Sequence, residues 1–308
     1  MAVLLGDVGG TNTRLALAHG DEIDVASIER YQGDDFASFD DVVQLFLRER
    51  GAPRIDAACI AAAGPVAGGR AELTNRDWDM TEDGIADLTG AAQVRLINDL
   101  TALGYATPAL PSDCLRLLRA APSNRISNGQ RLVVGLGTGF NVCVTRQLPD
   151  GRTLALEAEE GHAQLPANIY RKLLDLVGSE GIAPFISVEE TFAGRGLSRF
   201  HAALTDQPEI RGEAIAAAAL RGEAQALATY EIFAELVGLM CRELTMHYMP
   251  LDGLFLAGSV GRSIAELIDP FEQAFLAEPY MRHIPENTPV FLITDDMAAL
   301  HGCLAALR

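Results

Sequence analysis

Apolar residues along this chain fall in short runs that end in glycine turns. Val3 to Val8 reads as a buried strand that enters the turn Gly9-Gly10-Thr11-Asn12. Arg14 to Ala18 reads as a second strand and Glu22 to Tyr31 as a candidate third. Phe36 to Arg50 has helical periodicity and stops before Gly51. Ala57 to Ala63 is a predicted strand bounded by Gly64-Pro65. Val94 to Ile97 is another, followed by Asn98-Asp99 and a helix. A second strand-turn-strand unit begins at Leu132: Leu132 to Gly135, then Gly137-Thr138-Gly139, then Phe140 to Thr145. Thr153 to Leu156 is a further strand. Ser187-Val188-Glu189-Glu190 has capping-box spacing and predicts a helix start. Ala214 to Met249 is helical, with a break near Gly222. Gly253 to Ala257 is a strand ending in Gly258-Ser259, and Val290 to Thr294 is the last strand before a C-terminal helix.

Strands alternate with helices throughout, which predicts an α/β fold. A chain of 308 residues is too long for one small core and suits two domains. The strand, glycine-threonine turn, strand pattern near Gly9 recurs near Gly137, as a repeat of architecture and not of sequence.

Composition narrows the chemistry. Apolar residues make up 49% and charged residues 21%, as expected of a globular protein. The net charge is -18 and the pI about 4.7. Such a surface repels nucleic-acid phosphates and anionic lipid, so neither partner is expected. It also repels ATP at long range, so a nucleotide site must hold phosphate by local backbone donors or a metal. No apolar run reaches the ~18–20 residues that span a bilayer. The first residues lack a basic leader region and a cleavage site, so no signal peptide is expected. Cys59, Cys114, Cys143, Cys241 and Cys303 are odd in number, scattered and without a CxxC, which reads as free thiols in a reducing, cytoplasmic setting. Lys172 is the only lysine, and no Gly-Lys-Ser or Gly-Lys-Thr exists, which excludes a lysine-based phosphate loop.

Asp7-Val8-Gly9-Gly10-Thr11-Asn12-Thr13-Arg14 is the sharpest local motif. Glycines let successive N–H groups turn toward one point, which makes an anion nest. Thr11 and Thr13 add hydroxyls, and Asp7 could hold a water on a metal. The loop joins two strands, unlike the dinucleotide fingerprint, which opens a helix. A bare glycine hairpin is the plain alternative. Its recurrence at Gly137-Thr138-Gly139 favours two hairpins that clamp a polyphosphate. Gly258 admits either a flat base such as adenine or an ordinary strand-to-helix turn. Asn98 and Asp99 follow a buried strand, where a carboxylate can accept a hydroxyl proton. Read alone, a helix cap is the simpler account. Glu157-Ala158-Glu159-Glu160-Gly161-His162 is a dense polar run suited to sugar hydroxyls. Zinc is a poor fit there, with no cysteine or second histidine nearby. Glu189 suits either a sugar or the helix dipole. Trp78, after Thr74-Asn75, suits either a core or a cleft border.

In order along the chain, these stretches resemble the bacterial glucokinases: GDVGGTNTR at Gly6 to Arg14, GPV at Gly64, TNRDW at Thr74 to Trp78, IND at Ile97 to Asp99, GTG at Gly137, EEGH at Glu159 to His162, VEE at Val188, AG at Ala257 and PVFLIT at the last strand. The resemblance covers nearly the whole chain. It implies a two-domain actin-like ATPase (ribonuclease H-like) fold with a central ligand cleft that closes on its ligands. The domains expected are 1–107 with 295–308, and 108–294. It implies ATP-dependent phosphorylation of glucose with Asp99 as general base toward the 6-hydroxyl. Asn98, Asp99, Glu159, His162, Glu189, Thr74 and Asn75 would bind glucose. Gly6, Asp7, Val8, Gly9, Gly10, Thr11, Gly137, Thr138 and Gly258 would bind ATP. Mg2+ would be held through ATP and water with no direct protein ligand, Asp7 being the candidate to hold one of its waters, and a homodimer is admitted. The cysteine cluster of the zinc-binding, repressor-related sugar kinases is absent. Three departures stand out. The family usually has Pro-Gly-Glu-Gly-Gly-His at residues 157–162, Gly-Thr-Gly-Leu-Gly where Phe140-Asn141 follow Gly139, and a glycine pair where Gly258-Ser259 stands.

Overall fold

A computed structural model describes residues 2–73, 76–277 and 279–308. The chain divides into two compact units. Unit 1 contains Met1–Pro111, Leu148–Ala155 and Asp295–Arg308, and unit 2 contains Ser112–Gln147 and Leu156–Thr294.

Unit 1 is built on β1 (Ala2–Val8), β2 (Asn12–His19), β3 (Glu22–Ile23), β4 (Glu29–Gln32) and β5 (Ala57–Ala62). A small sheet follows, of β6 (Val66–Ala67), β7 (Arg70–Glu72) and β8 (Asp79–Thr81), and then β9 (Gln93–Asn98). The main sheet runs β3-β2-β1-β5-β9, with β4 also paired to β2. β1 and β2 are antiparallel, whereas β1–β5 and β5–β9 are parallel. Side chains alternate across a strand. Leu4, Val8, Leu15 and Leu17 therefore face a core with Phe39, Val42 and Phe46 of helix α1 (Phe39–Glu49). Val3, Leu5, Ala16 and Ala18 face a second core with Ala102, Leu300 and Cys303. That second layer is α3 (Asp99–Ala106), preceded in the chain by α2 (Glu82–Thr89), together with the C-terminal helix Ala298–Ala306. Both faces are buried, which is why these strands read as unbroken apolar runs. At Gly302 an added Cβ would sit 1.7 Å from the Ala102 carbonyl oxygen, so glycine lets the C-terminal helix lie against α3.

The candidate strand Glu22 to Tyr31 is instead two short strands around a 3-10 turn, Val25–Ser27. Asp24 Oδ1 accepts the Ala26 N–H, and Ser27 Oγ accepts the Leu17 N–H while donating to Asp24 O. Local polar side chains there offer the backbone an alternative to the ladder.

Unit 2 contains β10 (Leu115–Arg119), β11 (Gln130–Leu136) and β12 (Phe140–Gln147); β13 (Thr153–Leu156) crosses the chain boundary between units. Helices α4 (Ala167–Gly181), α5 (Val188–Phe192), α6 (Gly194–Thr205), α7 (Gly212–Leu220) and α8 (Ala224–Tyr248) follow. After them come β14 (Leu254–Ala257), α9 (Gly258–Ile264), α10 (Ile268–Phe275) and β15 (Val290–Ile293). The strands run β10-β15-β14-β11-β12. The run β12-β11-β14-β15 repeats β2-β1-β5-β9: an antiparallel hairpin, then two parallel neighbours. The expected repeat of architecture is thus a repeat of topology. The break between α7 and α8 falls at Gly222, whose φ is +79°. Helix α8 is long and apolar enough to cross a bilayer by length and composition. Polar residues spaced along it hide this from a count of unbroken apolar residues. Its Phe233, Leu236, Val237, Met240 and Leu244 lie in the unit 2 core.

Candidate active site

In both units the hairpin turn lies at the carboxyl end of the central strand, where open α/β sheets bind ligands. In unit 1, Arg76 Nη2 donates to Gly10 O at 3.0 Å, and the Gly33 N–H donates to Thr11 O at 2.8 Å. The Gly9 N–H is taken by Asn12 O. With the tip carbonyls tied away, the amides of Gly10 and Thr11 have no acceptor among the described residues. Free N–H groups on a turn form an anion site. In unit 2 the same holds. The Gly194 N–H donates to Gly137 O at 2.9 Å, Arg195 Nη1 to Thr138 O at 3.1 Å, and the Gly137 N–H to Gly139 O. The amides of Thr138 and Gly139 have no acceptor among the described residues.

Asp7 lies on β1 just before the first turn, ion-paired with Arg14 Nη1 at 2.9 Å. Burial pushes its carboxyl above the ordinary value, Arg14 pulls it back, and Asp296 adds to the rise. Gly6 and Val8 are strand residues of β1 that set the approach to the turn. No cluster of three or more His, Cys, Asp or Glu able to hold a metal exists among the described residues.

Asn98 ends β9 and caps α3. Its Oδ1 accepts the N–H groups of Leu100 and Thr101, and its Nδ2 donates to Gly64 O at 3.0 Å. The cap role that the sequence left open between the two residues therefore falls to Asn98. Asp99 Oδ1 accepts the neighbouring Leu100 N–H at 2.8 Å. Desolvation, helped by the negative charge of Asp7, pushes the Asp99 carboxyl up to about 6, against the pull of the Leu100 N–H and the Asn98 amide. A carboxylate raised by burial and a like charge makes Asp99 a candidate functional group.

In unit 2, Glu189 stands in the first turn of α5, which Ser187 caps. Its Oε2 accepts the Phe140 N–H at 2.9 Å and its Oε1 accepts Arg195 Nη2 at 2.6 Å. Glu159 and His162 are exposed, with Glu159 Oε2 3.6 Å from His162 Nδ1. Asn141 organises this loop: its Nδ2 donates to Glu159 Oε2 at 3.3 Å and its Oδ1 accepts the Glu160 N–H at 3.0 Å. Glu160 Oε2 accepts the Tyr248 hydroxyl at 3.3 Å. Asn141 and Glu160, both at positions where this chain departs from the family pattern, thus belong with Glu159 to one hydrogen-bonded set.

Behind the second hairpin lies a cavity of about 210 Å3 lined by Gly194, Leu197, Gly212, Ala216, Tyr230 and Ser259 among others. Gly258, with φ of +89°, leads into it, and a Cβ there would meet Leu136 O at 2.2 Å.

Thr74 and Asn75 lie outside the described residues. Trp78 is a core residue, packed near Phe39 with the Arg76 guanidinium 4.8 Å above its ring. Three side chains of this region escaped the reading from sequence: Arg76, Arg195 and Asn141. Arg76 sits inside TNRDW and Asn141 marked a departure, but nothing local announced their partners.

Two α/β units with matching hairpin-plus-parallel topology, each with free amides on its turn, define the actin-like ATPase fold of sugar kinases. The sequence model of the glucokinase family matches residues 4–308. A glucokinase of Caulobacter vibrioides is 31% identical over 318 residues, covering 99% of this chain and 94% of the relative. This chain belongs to the glucokinase family. It is also 32% identical over 314 residues to a bifunctional protein glk of Burkholderia lata, covering 99% of this chain and only 48% of that protein. The chain spans about half the length of relatives of that kind. Among solved structures, a glucokinase from an Antarctic psychrotroph matches with a TM-score of 0.85 at 27% identity, covering 99% of this chain and 98% of that one. A ROK family glucokinase from Streptomyces griseus, solved with glucose and AMPPNP, shares the fold, with a TM-score of 0.63 at 20% identity over 100% of this chain and 99% of that one.

Proposed function

We propose that this chain transfers the γ-phosphoryl group of ATP to the 6-hydroxyl of glucose. The observation that carries the reading is Asp99, a carboxylate pushed up to about 6 at the end of a parallel strand beside a turn with free amides. At pH 7 such a group is mostly ionised yet basic enough to take a proton, which is what general base catalysis asks of it. In the proposed step the sugar oxygen attacks the γ-phosphorus, its proton passes to Asp99, and ADP leaves. Phosphoryl transfer needs little beyond positioning and charge stabilisation. The free amides of Gly10, Thr11, Thr138 and Gly139 supply neutral donors for phosphate oxygens, and the cavity beside Ser259 suits adenine. Neutral donors do not cancel a triphosphate's charge, and Arg14 is already paired with Asp7. Mg2+ brought by ATP would supply the missing positive charge, and Asp7 is the carboxylate that would hold it through water. Asn98, Glu159, His162 and Glu189 are assigned to the sugar hydroxyls. The free thiols Cys59, Cys241 and Cys303 fit a reducing cytoplasm.

The test is a coupled assay for glucose 6-phosphate with purified protein, ATP and Mg2+. Turnover is expected, and its absence refutes the reading. A second reading, a different hexose as substrate, is favoured by the Asn141–Glu159–Glu160 set, which adds a carboxylate to the sugar loop. A panel of glucose, mannose, fructose and glucosamine decides it: the highest kcat/KM on glucose removes this alternative.

A further inference from the structure

Arg195, at the start of α6, binds three acceptors from two directions. Its Nε and Nη2 lie 2.8 and 2.7 Å from Glu190 Oε1, its Nη2 donates to Glu189 Oε1 at 2.6 Å, and its Nη1 donates to Thr138 O at 3.1 Å. Glu189 and the hairpin are themselves in contact. The Phe140 N–H donates to Glu189 Oε2, and a Cβ on Gly139 would lie 2.7 Å from that oxygen. Arg199 donates to Glu190 from the next turn of α6. Two arginines thus balance two carboxylates in a half-buried set.

We propose that Arg195 is a positioning residue that holds Glu189 toward the sugar and the Gly137–Gly139 hairpin toward the nucleotide, so that one side chain sets both substrate affinities. The proposal rests on the kinase reading given above. A carboxylate has about four lone-pair sites, and fixing two of them leaves the others aimed in one direction for hydroxyl donors. Holding Thr138 O keeps the neighbouring amides free for phosphate. A planar guanidinium can span these acceptors at once, and an ammonium cannot.

The test compares kcat and both KM values for wild type, Arg195→Ala, Arg195→Lys and Arg199→Ala. Arg195→Ala is expected to raise KM for glucose and for ATP by about ten- to a hundredfold each, the range of a charge-assisted hydrogen bond, with a smaller change in kcat. Added guanidinium should lower both KM values again, and ammonium should not. Arg199→Ala removes an ion pair of similar exposure that touches neither Glu189 nor the hairpin, and should stay within about threefold of wild type. If Arg195→Ala fails to fold, Arg195→Lys decides, and it too should raise both KM values. Unchanged KM values in a folded variant, a rise in only one of them, or an equal effect from Arg199→Ala overturns the proposal alone. A wild type without turnover overturns the kinase reading and this proposal with it.

Discussion

Replacing Asp99 with asparagine keeps the shape of the side chain and the acceptor for the Leu100 N–H while removing the charge. The charge is unfavourable where it sits. Its pKa rises from 3.8 to about 6, first through desolvation and then through Asp7. A folded pKa above the unfolded one means that the folded state holds its proton longer. The group's contribution to stability is therefore fully present below pH 3.8 and is lost as pH rises through about 6. At about 1.4 kcal/mol per pH unit, the ionised form costs on the order of 3 kcal/mol at pH 8, and less after allowance for the part of Asp99 that solvent still reaches. Asp99→Asn should thus be more stable than wild type by about 1–3 kcal/mol at pH 8, several degrees in Tm. The gain should shrink toward zero near pH 4. Loss of the base should lower kcat by about 10²–10⁴. Calorimetric melting from pH 4 to 8, beside the coupled assay, measures both effects on the same samples. A variant less stable than wild type at pH 8, or a gain that does not fade with acidification, refutes the electrostatic account of Asp99. Retained activity refutes its role as base.

Three further outcomes follow from the same structure. Asp7→Asn should move the acid limb of the kcat/KM profile below about 6, because the Asp7 charge is one cause of the raised Asp99 value; a limb that stays or rises contradicts the coupling. Gly302→Ala places a Cβ 1.7 Å from the Ala102 carbonyl of α3, and overpacking of this kind costs about 1–3 kcal/mol or more. Its Tm and its kcat should both fall, since α3 begins at Asp99. Ser38→Ala removes the capping box with Asp41 at the start of α1 and should cost about 1 kcal/mol by thermal melting while leaving kcat unchanged.

Short-range signals settled most of what the chain alone reveals. Short apolar runs located β1, β2, β5, β11 and β12, and glycine punctuation located both turns and the Gly222 break. Motifs in order carried the family. These signals work because an element's faces, caps and turns depend on residues a few positions apart. Local chemistry misled only where side chains rebond the backbone, as at Asp24 and Ser27. It left Asn98 and Asp99 interchangeable, since either residue type can cap a helix. The tertiary structure separated them: Asn98 caps α3 and binds Gly64, 34 positions away, which leaves the Asp99 carboxylate desolvated near Asp7. It also paired Arg76 with Gly10 across 66 positions and Arg195 with Thr138 across 57. Nothing within a few residues of those arginines encodes their acceptors. The path of the chain brings them together, and the same path, by excluding water, sets the basicity of Asp99.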